Sequence, residues 1–280
     1  MTLADLGFLD LGDMRLEYRM IGPRPQGAPT IVLLHEGLGS VEVWGSFAGE
    51  LAGATGAGVF SYSRAGYGRS SPSKLPRPVS FMHDEARDVL PRVLAAIGFR
   101  RGLLLGHSDG ASIAAIYAGT VQDHRVRGLI LIAPHFITED MGIAEIARAK
   151  AAFEAGPLRA KLARMHADPD SAFRNWCEPW LDPAFRKFDL SDALAHIRVP
   201  MLIVQGEDDQ YGTVRQIEVA REECYCPVEV ALLPDTRHAP HREAPEATLQ
   251  AVAGFCNRLL RDHHEGAMAA GSADQQLPRL

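Results

Sequence analysis

Leu103-Leu104-Leu105-Gly106-His107-Ser108-Asp109-Gly110-Ala111-Ser112-Ile113-Ala114-Ala115-Ile116-Tyr117-Ala118 reads as a strand, a tight turn and a helix. An apolar run ends in a Gly-x-Ser-x-Gly pentapeptide, and small and apolar residues follow it. Glycine suits both flanks of Ser108 because a strained strand-to-helix turn leaves no room for a Cβ. The serine then sits at the strand's C-terminal end. There the next helix presents free N–H groups and the positive end of its dipole to any oxyanion that forms. An ordinary turn with a capping serine would read the same in isolation, so the motif needs partners elsewhere.

A hydroxyl becomes a useful nucleophile only when a base takes its proton and a third group orients the base. In this architecture the chain order is serine, then an acid, then histidine. After Ser108, Pro200-Met201-Leu202-Ile203-Val204-Gln205 reads as a buried strand followed by Gly206-Glu207-Asp208-Asp209. Val228-Glu229-Val230-Ala231-Leu232-Leu233 is a further strand, and it leads into Pro234-Asp235-Thr236-Arg237-His238. Each candidate lies just past a strand's C-terminal end, where open α/β sheets place their sites.

Over most of its length, from about Met14 to Leu260, the chain resembles serine hydrolases of the α/β-hydrolase superfamily. Ile31-Val32-Leu33-Leu34-His35-Glu36-Gly37-Leu38-Gly39-Ser40 is similar to that family's strand and oxyanion loop. Tyr62-Ser63-Arg64-Ala65-Gly66-Tyr67-Gly68-Arg69-Ser70 resembles its Arg-x-Gly-x-Gly-x-Ser turn, and His238 through Glu246 resembles its histidine loop. The resemblance implies Ser108 as nucleophile, His238 as base and Asp209 as acid, the family's carboxylate lying three residues after the glycine. It also implies an oxyanion hole from the backbone N–H groups of Asp109 and Gly37, with Leu38 as second choice. Two positions depart from the pattern: Glu36 stands between His35 and Gly37, and Arg237 stands where a glycine usually precedes the histidine.

Rival residues have plainer readings. His241 falls where the last helix begins and reads as a capping or surface histidine, Asp208 as a solvated carboxylate. His35 reads as a brace for the oxyanion loop through hydrogen bonds, and His107 as packing beneath the elbow. Glu36, Leu38, His107 and Trp176 are candidate substrate contacts. Glu36 and Asp109 are acids beside oxyanion machinery. The bland reading is a helix-dipole partner for Asp109 and a solvent-facing Glu36; the sharper one pairs either acid with a cationic group on the substrate. A Ser-Asp-Gly elbow also resembles that of relatives selective for α-amino acid esters.

Alternating strands and helices predict an α/β fold: a mainly parallel sheet of about eight strands, antiparallel at the first ones, flanked by helices and carrying an inserted helical cap. Strands are expected near 14–18, 30–34, 58–61, 102–105, 126–132, 200–205 and 228–233, and helices over 80–97, 109–118, 213–222 and 240–260. Between 137 and 197 the strand rhythm stops, with helical pieces at 139–154 and 158–165. A structureless loop of that length is improbable, so residues 137–197 are expected to form a cap over a core made of 1–136 and 198–262. The cap should open before the sheet in hydrogen exchange. The aromatic residues Phe136, Phe153, Phe173, Trp176, Trp180, Phe185 and Phe188 are expected mainly to pack it. The tail at 263–280 reads as disordered.

A chain of 280 residues with 46% hydrophobic content can build a two-sided core. A net charge of −6 with no basic stripe argues against nucleic acid. The N-terminus has no signal-peptide pattern, and no apolar run nears the roughly 20 residues of a membrane span. Cys177, Cys224, Cys226 and Cys256 have no zinc spacing and suit reduced thiols in a cytoplasm. The expected partner is a small ester-like molecule, with no cofactor, metal, nucleic acid or membrane, and a homodimer is left open. Hydrolysis of an ester, lactone or thioester leads. Carbon–carbon bond hydrolysis, cofactor-free haloperoxidation or a lyase reaction on the same residues stands second. A ligand receptor without activity stands third.

Overall fold

The strands are β1 Leu6–Asp10, β2 Arg15–Ile21, β3 Thr30–Leu34, β4 Gly58–Tyr62, β5 Gly102–His107, β6 Val126–Ile132, β7 Met201–Gly206 and β8 Val228–Leu233. They form one sheet in the order β1-β2-β4-β3-β5-β6-β7-β8. β2 pairs antiparallel with both β1 and β4, and every later pairing is parallel. These are the elements of a computed structural model that describes residues 3–261; the tail at 263–280 lies outside the described residues.

β3 and β5 run through the middle because they are apolar on both faces. Val32, Leu34 and Leu104 point into one core layer, and Ile31, Leu33, Leu103 and Leu105 into the other. Such strands must be covered by helices on both sides, and helices cover them here. β1 is the strand missing from the sequence reading. Only Leu9 of its five residues is buried, while Leu6 and Phe8 face solvent, so this edge carries too short an apolar pattern to register.

Two helix expectations need correction. The helix expected over 80–97 contains a π turn at Glu85–Val89 between Phe81–Asp84 and Leu90–Ala96. The one expected over 240–260 is two, Pro240–Glu243 and Pro245–Arg261, broken at Ala244. Pro245 lacks an N–H and disfavours helical geometry in the residue before it, and Ala244 accordingly sits at φ −132°.

Between β6 and β7 the described residues contain no strand. The chain runs through helices Asp140–Glu154, Pro157–Leu162, Pro169–Leu181 and Ser191–Ala195. The sequence reading leaves out Pro169–Leu181, although its signals are local: Asp168 accepts the Ser171 N–H at 3.0 Å and Pro169 opens the first turn. Its aromatic residues pack inward, with Phe173 stacked 4.0 Å from Phe153 and Trp180 4.4 Å from Phe185. Ser191–Ala195 instead rests on the helix after β5, where a Cβ on Gly119 would lie 2.1 Å from the Ala193 carbonyl.

Candidate active site

Ser108 sits at φ +53°, ψ −119°, between β5 and the helix Asp109–Thr120. A side chain is strained in that region, and its neighbours cannot carry one. A Cβ on Gly106 would lie 2.2 Å from the Gly110 carbonyl, and one on Gly110 would lie 2.1 Å from that of Leu34. The turn therefore closes only with glycine at both places. The Ser108 N–H donates to Ile132 O at 2.9 Å, which ties the turn to the end of β6. His107 Nε2 lies 2.7 Å from the His238 carbonyl and donates to it.

The structure brings Ser108, His238 and Asp209 together. Ser108 Oγ is 2.9 Å from His238 Nε2, and His238 Nδ1 is 2.8 and 2.9 Å from the two Asp209 oxygens. Nδ1–H donates to the carboxylate, leaving the Nε2 lone pair to accept the serine O–H. Asp209 also accepts the Tyr211 N–H at 2.8 Å and a Gln205 Nε2–H at 2.7 Å. Burial raises its pKa, but the nearby His238, its hydrogen bond and that of the Tyr211 N–H outweigh burial and hold the carboxyl below its ordinary value. Asp208 is exposed and contributes only its backbone N–H, to Thr236 O. His241 is buried against Trp44, Phe47 and His107, so it is a packed ring rather than a surface one. Arg237 has no positive φ, so its backbone calls for no glycine, and the left-handed residue of this loop is Asp235 at φ +50°. Glu243 then caps the loop through the N–H groups of Arg237 and Ala239.

The Glu36–Gly39 turn is held from its carbonyl side. Glu36 O accepts from His35 Nδ1 at 2.7 Å, Arg64 Nη2 at 3.0 Å and Gly39 N at 3.2 Å. Arg64 also reaches His35 O, and its own N–H donates to His35 Nε2 at 3.0 Å, which fixes a neutral Nδ1–H ring. The N–H groups of Gly37 and Leu38 are left without a hydrogen-bond acceptor among the described residues. Asp109 N–H, opening its helix, is an orphan donor of the same kind. Gly37 must be glycine, since a Cβ there would lie 2.0 Å from Trp176 Cδ1.

These parts surround a cavity of about 280 Å³, lined by all four candidate contacts, Glu36, Leu38, His107 and Trp176, together with Ser108 and His238. His135, Trp180 and Tyr211 line it as well and escape the sequence reading as candidate site residues. His135 follows the end of β6 closely, so its position past a strand is the one local signal it carries. Larger hollows lie elsewhere, but none touches Ser108. The two acids part company. Asp109 is fully buried, accepts from Trp180 Nε1 at 3.1 Å and does not line the cavity. Glu36 does line it, with Oε2 unpartnered and 4.0 Å from His107 Nδ1. Burial pushes both carboxyls above their ordinary values.

The buried imidazoles set a pH dependence of stability. Burial lowers the pKa of His35, His107 and His166, takes His135 down to about 3 and takes His241 down to about 4. Below about pH 6.5 the unfolded chain binds protons that the folded one refuses, so each such ring removes up to about 1.4 kcal/mol per pH unit. Glu36 and Asp109 act in the opposite sense, between the ordinary carboxylate range and their raised values. Five rings against two carboxyls should give a lower urea midpoint at pH 5.5 than at pH 7.5. Equal midpoints would contradict neutral burial of the rings.

A family model described as the alpha/beta hydrolase family matches residues 31–251, and the chain belongs to that family. Human serine hydrolase BPHL is 29% identical over 158 residues, covering 54% of this chain and 53% of BPHL; the chain thus spans about half the length of that relative. Proline iminopeptidase of Lactobacillus helveticus is 25% identical over 240 residues, covering 69% of this chain and 78% of the relative. Among solved structures, the enol-lactonase from Burkholderia xenovorans LB400 superposes with TM-score 0.70 at 20% identity, covering 89% of this chain and 99% of that one. No helix among the described residues is long and apolar enough to cross a membrane.

Proposed function

We propose that the protein hydrolyses a small to medium carboxylic ester, lactone or thioester through an acyl-enzyme on Ser108. The observation that carries this reading is the unbroken chain of hydrogen bonds from Ser108 Oγ through His238 to Asp209, facing a cavity that Ser108 and His238 both line. Ser108 attacks the carbonyl carbon while His238 Nε2 takes its proton. The same imidazole returns the proton to the leaving group, then activates water to release the acid. Asp209 holds the Nδ1–H tautomer and stabilises the imidazolium. The N–H of Asp109 and that of Gly37 receive the oxyanion, with Leu38 as the alternative donor, and residues 137–197 act as the lid. A cavity of about 280 Å³ lies just below the roughly 300–1,000 Å³ of typical ligand pockets, so the part of the substrate it holds is compact.

The iminopeptidase relative supports a second reading, cleavage of an aminoacyl amide by the same residues. A panel of p-nitrophenyl esters, lactones, thioesters, vinylogous diketones and aminoacyl p-nitroanilides separates these readings. Ester, lactone or thioester turnover at the highest kcat/KM supports the first. Preferred turnover of the diketones or anilides would replace it.

A further inference from the structure

His166 comes from the inserted segment between β6 and β7, yet it grips the two loops that follow β3 and β4. It is buried, at 5% exposure. Its Nδ1 accepts the Gly68 N–H at 2.9 Å, and its Nε2 lies 2.9 Å from the Leu38 carbonyl. An amide N–H can only donate and a carbonyl can only accept, so the ring is neutral with its proton on Nε2. The backbone doubles the grip, since Ala167 N–H donates to Gly68 O at 2.9 Å.

The Leu38 carbonyl and the Gly39 N–H belong to one peptide plane. Its N–H end is pinned to Glu36 O at 3.2 Å, and its carbonyl end is pinned by His166. Among the side chains that hydrogen-bond the turn's backbone, His35 and Arg64 come from the sheet side and His166 from the inserted segment, which also packs Trp176 against Gly37. Without His166 the Leu38–Gly39 plane is held only at its N–H end, and the adjoining Leu38 N–H loses a constraint on its direction, while the Gly37 N–H stays fixed with Glu36 O by His35 and Arg64. A donor must point at the place where the oxyanion forms, so such a loss would act on the transition state more than on substrate binding.

We propose that His166 is a positioning residue: docking of the cap sets the Leu38 peptide through His166 Nε2–H and so completes the oxyanion-binding loop. This rests on the acyl-transfer reading above. It makes assembly of the site conditional on cap closure, because the same side chain serves both.

Two substitutions separate the two bonds. In His166→Asn the side-chain oxygen can reach the Nδ1 position and keep the Gly68 contact, but nothing donates to Leu38 O. In His166→Gln the amide nitrogen can reach the Nε2 position and donate to Leu38 O. With p-nitrophenyl acetate as probe, the Asn variant should lose about tenfold or more in kcat, with KM within about twofold. The Gln variant should stay within about threefold of wild type. If Asn does not fold, Gln decides alone: near-wild-type kcat supports the Leu38 bond, and a tenfold loss in folded protein, judged by its thermal melt, contradicts it. Equal kcat in folded Asn and wild type, or a loss confined to KM, also overturns the proposal. Wild-type enzyme that neither turns over the ester nor takes a fluorophosphonate would instead defeat the acyl-transfer reading beneath it.

Discussion

Ser108→Ala should lower kcat by roughly 10⁴ to 10⁶ while leaving the fold intact. The loss is large because the serine oxygen is the atom that bonds to substrate in the proposed reaction. In that reaction the base and the acid act only through the serine oxygen, so removing one member idles all three. The fold should survive because the Ser108 hydroxyl makes one side-chain hydrogen bond, to His238, and the strain at φ +53° is common to serine and alanine. Paired measurements of kcat and of the urea midpoint check both halves. Retained turnover in a folded variant would end the serine-hydrolase reading.

The second large effect divides the neighbouring acids and histidines. His238→Ala should approach the loss at Ser108, and Asp209→Asn should cost roughly 10³ to 10⁴ in kcat by mis-setting the imidazole tautomer. Asp208→Asn should change little, since that side chain is exposed. His241→Ala should keep most activity but lower stability, because its ring is buried against Trp44 and Phe47. Steady-state kinetics of the four variants on one ester decide the matter. A larger kcat loss at Asp208 than at Asp209 would show that the acid loop is arranged differently from the hydrogen bonds described here.

What the sequence makes legible is what the backbone itself demands. Gly106 and Gly110 are readable because no other residue fits between neighbouring carbonyls, and the two-sided apolar runs of β3, β5 and β7 are readable because a buried parallel strand has no polar face. The histidine loop is opaque for the same reason in reverse: Arg237 needs no left-handed backbone, and the residue that takes one, Asp235, is marked by no motif. His135, Tyr211 and Gln205 serve the site through contacts with residues distant in sequence, and those contacts leave no local trace. His166 is the extreme case, joined to Leu38 across 128 positions. Asp109, a conspicuous acid at the elbow with a plain structural reading beside a sharper one, is buried and accepts from Trp180 Nε1 without lining the cavity.

The central claim is that Ser108 is the one activated nucleophile. It is tested most directly by treating the protein with a fluorophosphonate and mapping the adduct by mass spectrometry. A single adduct per chain, located on Ser108 and absent from Ser108→Ala and His238→Ala, is the expected result. No adduct on wild type, or one that persists on another residue in Ser108→Ala, would contradict it.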